Sequence, residues 1–192
     1  MHRLASLLLS LCLAVEARTR DTVCRTLGHK LSVSVAGTVC KESDFDLRET
    51  TLRLRQALAS RNWTVNAHIA FQEEAAKAGE RIPANELILF SPPHLSTEMI
   101  RHCATAALDL PMKVQVFQGA GNKVYLAYNT PSYVAKRHRI DEMGQEMDDM
   151  GRDLHAVTEA AVYANVIVPT TNFVSRSSDR IRLRHQTLLR LQ

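Results

Sequence analysis

Alternation of apolar and polar residues marks the first strands of this chain. It runs through residues 31–35 and again from Trp63 to Phe71, which predicts two half-buried strands. Leu87 to Phe90 is a short, continuous apolar run that two prolines follow, as expected of a buried strand.

A hairpin joins the last two predicted strands. Met112 to Val116 and Val124 to Tyr128 flank the turn sequence Gly119 to Asn122, so these two strands run antiparallel. Helical segments separate the other strands. The pattern therefore predicts an α+β fold, with a mainly antiparallel sheet, helices packed on one face and a long C-terminal helix.

Apolar residues at helical spacing predict the helices. Asp46 and Glu49 form a capping box in front of a stripe that ends at Leu58. A long helix is predicted from about Asp141 to Asn165. Shorter helices are predicted at residues 73–78, from Ser96 or Thr97 to Leu108, and from Pro131 onward.

Three methionines in the long helix raise the question of a copper(I) site, because thioether sulfur is a ligand for that ion. They belong to a stripe that keeps helical spacing: Met143, Met147, Met150, Leu154, Val157 and Ala161. The stripe continues into side chains that bind no metal, and His155 lies off its centre. We interpret the stripe as an apolar packing seam, in the core or in a dimer interface, and we expect neither a metal nor a cofactor.

The start of the chain has the pattern of a secretory signal. A short basic start precedes a run from Leu4 to Val15 that is apolar apart from two serines, and Ala17 stands at the predicted cleavage position. Bulky Leu11 disfavours a lipoprotein site at Cys12, and the uniform apolarity disfavours a mitochondrial presequence. We expect an exported protein, periplasmic or secreted, with no transmembrane span after cleavage, because the run is too short.

These segments divide the chain into five parts. They are a signal peptide (1–17), an N-terminal segment (18–30), an α+β domain (31–141), a C-terminal helix packed on that domain (142–168) and a basic tail (169–192).

Charge and cysteine content narrow the function classes. The net charge is +4 and aromatic residues make up 5%, few for a protein that stacks on single-stranded nucleic acid, so we expect no nucleic-acid partner. A Cys24–Cys40 disulfide and three free, mostly buried thiols (these two and Cys103) both remain open. No Cys-x-x-Cys motif is present.

Several ordered segments resemble one family. Leu108 to Val114 and Lys123 to Pro131 carry the closest likeness, and Ala135 to His138 and two further pieces near Glu49 and Glu86 agree in order. The chain resembles the domain of unknown function 302 family from about Val33 to Asp141. The resemblance implies a compact α+β domain, often dimeric, and no established reaction. We therefore expect a homodimer.

Two family features are absent here. Family members usually carry an Asp-His pair at the end of the second strand, where Ala70-Phe71 stands, and Gly-Asn-Pro after the third strand, where Ser91-Pro92-Pro93 stands. If those polar residues line a family site, this chain has lost it. We therefore expect a catalytic or ligand-binding site of the family type less in this chain than in its relatives.

Two functional classes follow. The first is a non-catalytic binding or structural module whose small-molecule ligand is unknown. The second is either a metal or cofactor carrier or an enzyme, in both cases with a site near His68, His94 and Tyr128. No catalytic residue is assigned, because the phosphate-loop, zinc-protease and serine-hydrolase motifs are missing. Asp109 is expected to hydrogen-bond local backbone amides. The residues proposed to bind are His68, His94, Thr97, Asp109, Tyr128 and Asn129.

Overall fold

The computed structural model describes residues 35–166. Its strands are β1 (Thr38–Glu42), β2 (Thr64–Ala70), β3 (Asn85–Ser91), β4 (Met112–Gln118) and β5 (Val124–Asn129). Its α-helices are α1 (Leu47–Ser60), α2 (Phe71–Lys77), α3 (Leu95–His102), α4 (Pro131–Arg137) and α5 (Gly144–Val162). Two 3₁₀ helices span Ala104–Leu108 and Ala120–Asn122.

The five strands form one sheet in the order β1-β5-β4-β3-β2. Every pairing in it is antiparallel. The first described strand therefore lies beside the last one, and β4 and β5 pair as the predicted hairpin. The α+β fold with an antiparallel sheet and a long C-terminal helix is confirmed.

One face of the sheet forms the core. Ile88, Phe90, Val114 and Leu126 are fully buried there, in a single cluster with residues of the helices. Burying apolar surface at about 25 cal/mol per Å² is the main stabilising contribution to such a fold. No helix within residues 35–166 is long and apolar enough to span a membrane.

The predicted cap of α1 is present. Asp46 precedes the helix with extended backbone, and its Oδ1 accepts a hydrogen bond from the Glu49 backbone N–H at 2.8 Å. The predicted stripe packs inward, with Leu54 and Leu58 fully buried. The amphipathic pattern and the cap thus agree on this helix.

The methionine stripe packs into the core. Met143, Met147 and Met150 are only 4%, 2% and 7% exposed and join the same cluster as the sheet residues. The interpretation of the stripe as an apolar packing seam is confirmed, although α5 is shorter than the predicted span. Arg53 of α1 secures the end of α5, because its Nη2 donates to the carbonyl of Ala160 at 2.9 Å.

Three local predictions are corrected. Val35 lies outside any strand, and the first described strand is Thr38–Glu42. Lys41 in this strand faces the core and is fully buried, so the strand lacks the apolar–polar alternation that predicts a strand from sequence. Phe71 begins α2 instead of ending β2. The helix predicted to reach Leu108 breaks at Cys103, whose φ of −150° and ψ of 112° are extended.

The remaining segment predictions lie outside the described residues. They concern the signal peptide (1–17), the N-terminal segment (18–30), the strand residues 31–34 and the basic tail (169–192).

Candidate functional site

The structure does not bring His68 and Tyr128 together. His68 lies opposite Ile88, Ile88 lies opposite Val114, and Val114 lies opposite Tyr128. Three strand spacings of about 4.8 Å put the two residues about 14 Å apart, with two fully buried side chains between them. The two residues lie in the same row across the sheet, but they are too far apart to form one site.

The other predicted residues are also dispersed. His94 has a left-handed φ of 65° and precedes α3, where Thr97 is exposed. Asn129 accepts a hydrogen bond from the Thr38 hydroxyl at 3.0 Å. Within residues 35–166 no group of three or more His, Cys, Asp or Glu side chains is arranged to hold a metal ion.

His68 belongs to a small polar network at the β2 edge. Its Nε2 lies 3.0 Å from Glu86 Oε2, which also accepts from the Thr51 hydroxyl at 2.8 Å. The network ties β2 and β3 to helix α1. It gives His68 a structural partner.

Asp109 is the centre of a second network. Its Oδ2 lies 2.6 Å from His138 Nε2, and its Oδ1 accepts from Arg137 Nη1 at 3.2 Å. The carboxylate thus contacts the end of α4 instead of the local backbone amides that we expected. Two segments of the family resemblance, Leu108 to Val114 and Ala135 to His138, meet at this contact.

The network continues from His138 to a cysteine. His138 Nδ1 lies 3.0 Å from the Thr105 hydroxyl, and that hydroxyl lies 3.1 Å from Cys103 Sγ. We call this series Asp109–His138–Thr105–Cys103 the thiol line. Its imidazole is only 6% exposed, whereas Cys103 is partly open to solvent.

The hydrogen-bond polarity of the thiol line is consistent from end to end. A carboxylate only accepts, so we assign the proton of His138 to Nε2, facing Asp109. His138 Nδ1 is then free to accept from the Thr105 hydroxyl, and Thr105 in turn accepts from the Cys103 thiol. The series can pass one proton from sulfur to imidazole without moving a heavy atom.

Hydrogen bonds from the side chain of Thr105 and from nearby backbone N–H groups favour the thiolate form of Cys103. The residue precedes the 3₁₀ helix Ala104–Leu108. Once the thiol is ionised, the Thr105 hydroxyl donates to the sulfur, and this side-chain hydrogen bond lowers the pKa of the Cys103 thiol most. The backbone N–H of Thr105 lowers it further, and the N–H of Ala106 contributes less. Partial burial opposes this shift in pKa.

Lys113 holds the loop that carries Asp109. Its Nζ donates to the backbone carbonyls of Asp109 and Pro111 at 2.8 and 3.1 Å. Burial lowers the pKa of Lys113, and the negative charge of Asp109 partly opposes that shift.

The sequence pattern identified only one end of the thiol line. Asp109 is in the predicted set, but His138 lies 29 residues and Cys103 six residues away from it along the chain. His138 was visible only as part of the family resemblance, and Cys103 only as one of three thiols. No local spacing rule joins Cys103, which follows α3, with Thr105 in the 3₁₀ helix and His138, which follows α4.

The cysteine predictions are resolved in part. Cys40 is disulfide-bonded, and Cys103 is the free cysteine among residues 35–166. Cys24 lies outside the described residues, so its pairing with Cys40 stays a prediction.

The second face of the sheet carries apolar side chains outside the core cluster. Leu87, Leu89 and Phe117 are half-buried on this face. Phe117 also stacks with Tyr125, with ring centroids 5.7 Å apart. This face is a candidate binding surface, separate from the thiol line.

Curated proteins similar to this chain include two from Brucella. A "Fluoride-specific ion channel FluC 1" of Brucella suis biovar 1 is 30% identical over 109 residues, which are 57% of this chain and 43% of the relative. A protein of the same name from Brucella abortus biovar 1 is also 30% identical over 109 residues, 40% of its length. The chain thus spans less than half the length of the curated relatives it matches.

A solved structure shares the fold. It is an uncharacterized conserved protein DUF302 from Bacillus stearothermophilus, with a TM-score of 0.60 and 15% identity, covering 66% of this chain and 99% of that chain. The sequence profile of the domain of unknown function DUF302 matches residues 39–161, which include both family segments that meet at Asp109 and His138. This chain therefore belongs to the DUF302 family.

Proposed function

We propose that this chain is an exported, non-catalytic binding module that works as a homodimer through the second face of its sheet. The observation that carries the proposal is the group of half-buried apolar side chains that lies on that face and outside the core cluster, Leu87, Leu89 and Phe117 among them.

The composition of this face supports a protein partner. An antiparallel sheet with one solvated face usually alternates apolar and polar residues cleanly. Here Leu89 lies opposite Lys113 and Leu87 lies opposite Gln115, so apolar and polar side chains share the face. Such a mixture is typical of an interface that forms from folded subunits, and a second copy presents the same mixture in return.

The curated relatives support the description as a module. The stretch that matches this chain makes up 43% and 40% of two longer proteins. A domain that occurs within longer chains acts through surfaces it presents to other parts or partners.

The alternative class, an enzyme or carrier near His68, His94 and Tyr128, has no geometric support. About 14 Å and two buried side chains separate His68 from Tyr128, and a shared ligand shell needs atoms within a few ångströms of one point.

Light scattering on the mature protein tests the homodimer. We expect twice the monomer mass at micromolar concentration. Leu89→Lys places a second positive charge beside Lys113 on the face and should give a monomer, whereas Leu89→Met should stay dimeric. Leu52→Lys is the matched control, because Leu52 is 47% exposed on α1. A monomeric wild type, or equal effects of both lysine substitutions, would contradict the proposal.

Sequencing the amino terminus of the mature protein tests export. Cleavage after Ala17 should leave a chain that begins at Arg18, recovered outside the cytoplasm. An intact Met1 in a cytosolic fraction would overturn this part of the proposal without affecting the dimer.

A further inference from the structure

We propose that Cys103 is a reactive thiol that exchanges with disulfides, with His138 as the base that takes its proton through the Thr105 hydroxyl. This activity goes beyond the proposed binding function, and all four residues of the thiol line belong to one chain. A monomer could therefore react, so this proposal and the dimer proposal can fail separately.

The geometry has the parts that an activated nucleophile needs. The thiol and the imidazole are joined by one hydroxyl through contacts of 3.1 and 3.0 Å. A general base can act through one bridging group of this kind. The 2.6 Å contact with Asp109 orients the ring and stabilises the imidazolium that forms. Asp109 is a positioning residue here, since it does not touch the thiol.

The backbone around Cys103 favours a thiolate. Cys103 breaks the helix between α3 and the 3₁₀ helix, so the N–H groups of Thr105 and Ala106 face its sulfur. Hydrogen bonds to the charged form lower a thiol pKa. The side chain packs partly against the core and stays partly open to solvent, which leaves the sulfur reachable.

The charged groups around the line set its electrostatics. Arg137 and His138 both contact Asp109, and Lys113 donates to the backbone beside it. On the neighbouring segments, His102 Nδ1 lies 3.8 Å from Glu142 Oε2. Arg137 and Lys113 therefore place positive charge beside Asp109, the single carboxylate of the line.

A disulfide is the electrophile that fits this environment. Cys40 is disulfide-bonded, and disulfides persist where the surroundings are oxidising. The Cys103 thiolate attacks one sulfur of a disulfide R–S–S–R, the R–S–S–R bond breaks, and a Cys103–S–S–R bond forms. The departing R–S⁻ takes the proton that His138 received, so the products are a mixed disulfide and R–SH.

The experiment measures the reaction of the mature full-length protein with 5,5′-dithiobis(2-nitrobenzoate) and with oxidised glutathione. Released thionitrobenzoate gives the rate, and peptide mapping by mass spectrometry locates the adduct. We expect the adduct on Cys103 and its loss in Cys103→Ser. Circular dichroism checks that each variant is folded.

Substitutions along the thiol line distinguish a Cys103 thiol that is activated by its neighbours from one that is only exposed to solvent. Thr105→Val removes the hydroxyl that lowers the pKa of the Cys103 thiol. The variant should react about threefold more slowly at neutral pH, because each loss of thiolate by about tenfold is only partly offset, by about threefold, through the greater nucleophilicity of the thiolate that remains. Thr105→Ser keeps the hydroxyl and should react like the wild type. His138→Gln should move the pH–rate profile of Cys103 toward higher pH.

Three results would overturn the proposal. They are a Thr105→Val rate equal to the wild-type rate, an unchanged pH–rate profile in folded His138→Gln, or an adduct that maps only to a cysteine other than Cys103.

Discussion

Trp63 stacks on Phe90 with ring centroids 5.5 Å apart and ring planes inclined by 7°. Trp63 is the single tryptophan of the chain, and Phe90 is fully buried in the core cluster. The pair joins the end of α1 to the centre of the sheet, so its fluorescence reports directly on core packing.

Removing the buried ring of this pair should destabilise the fold strongly. Phe90→Ala is expected to lower the free energy of unfolding by about 3–5 kcal/mol, since it removes a large buried side chain and leaves a cavity. Urea unfolding followed by Trp63 fluorescence and by circular dichroism measures the change. Phe71→Ala is the control, because α2 has no buried residue, and its loss should be clearly smaller. Equal losses would contradict the assigned core.

The cap of α1 should contribute measurably to stability. Asp46→Ala removes the acceptor of the Glu49 N–H and is expected to lower the free energy of unfolding by about 1 kcal/mol. Asp46→Asn keeps a capping oxygen and should stay close to the wild type. Chemical denaturation checks both, and an alanine variant as stable as the wild type would show that the cap contributes nothing.

The methionine seam should tolerate leucine. Replacing Met143, Met147 and Met150 together with leucine conserves volume and should cost less than about 1.5 kcal/mol per site. Met147→Ala at the same position should cost about 2–5 kcal/mol. Thermal unfolding compares the variants, and metal analysis of the purified proteins should show no copper difference. Copper lost at unchanged stability would contradict the packing interpretation.

The lowered pKa of Lys113 makes a prediction about alkaline pH. Burial disfavours the charged amine in the folded state, so the unfolded chain binds more protons just below the ordinary lysine pKa of about 10.4. The stability of the wild type should therefore rise relative to Lys113→Met as the pH increases toward that value. Urea unfolding of both proteins at about pH 8 and about pH 10 gives the difference. A difference that stays constant or falls would contradict the assignment.

Patterns within single segments predicted most of the elements. The cap at Asp46, the stripe of α1, the β4–β5 hairpin and the methionine seam of α5 are all confirmed, because each depends on neighbours within a few residues along the chain. The family resemblance likewise came from ordered local segments. The sequence pattern did not predict β1, because a buried Lys41 occupies an inward position that normally holds an apolar residue. Its ammonium group donates a hydrogen bond to the Thr158 hydroxyl at 3.0 Å.

Only the tertiary structure decided which side chains meet. The strand order puts β4 and β3 between Tyr128 and His68, and so separates residues that the sequence grouped as one site. The fold brings His138, which follows α4, to Thr105 and Asp109, over 33 and 29 residues of chain. Local hydrogen bonding shapes each element, but strand register and helix packing depend on contacts between distant segments. For that reason, the sequence by itself determined the elements and the family, and the fold alone assembled the thiol line.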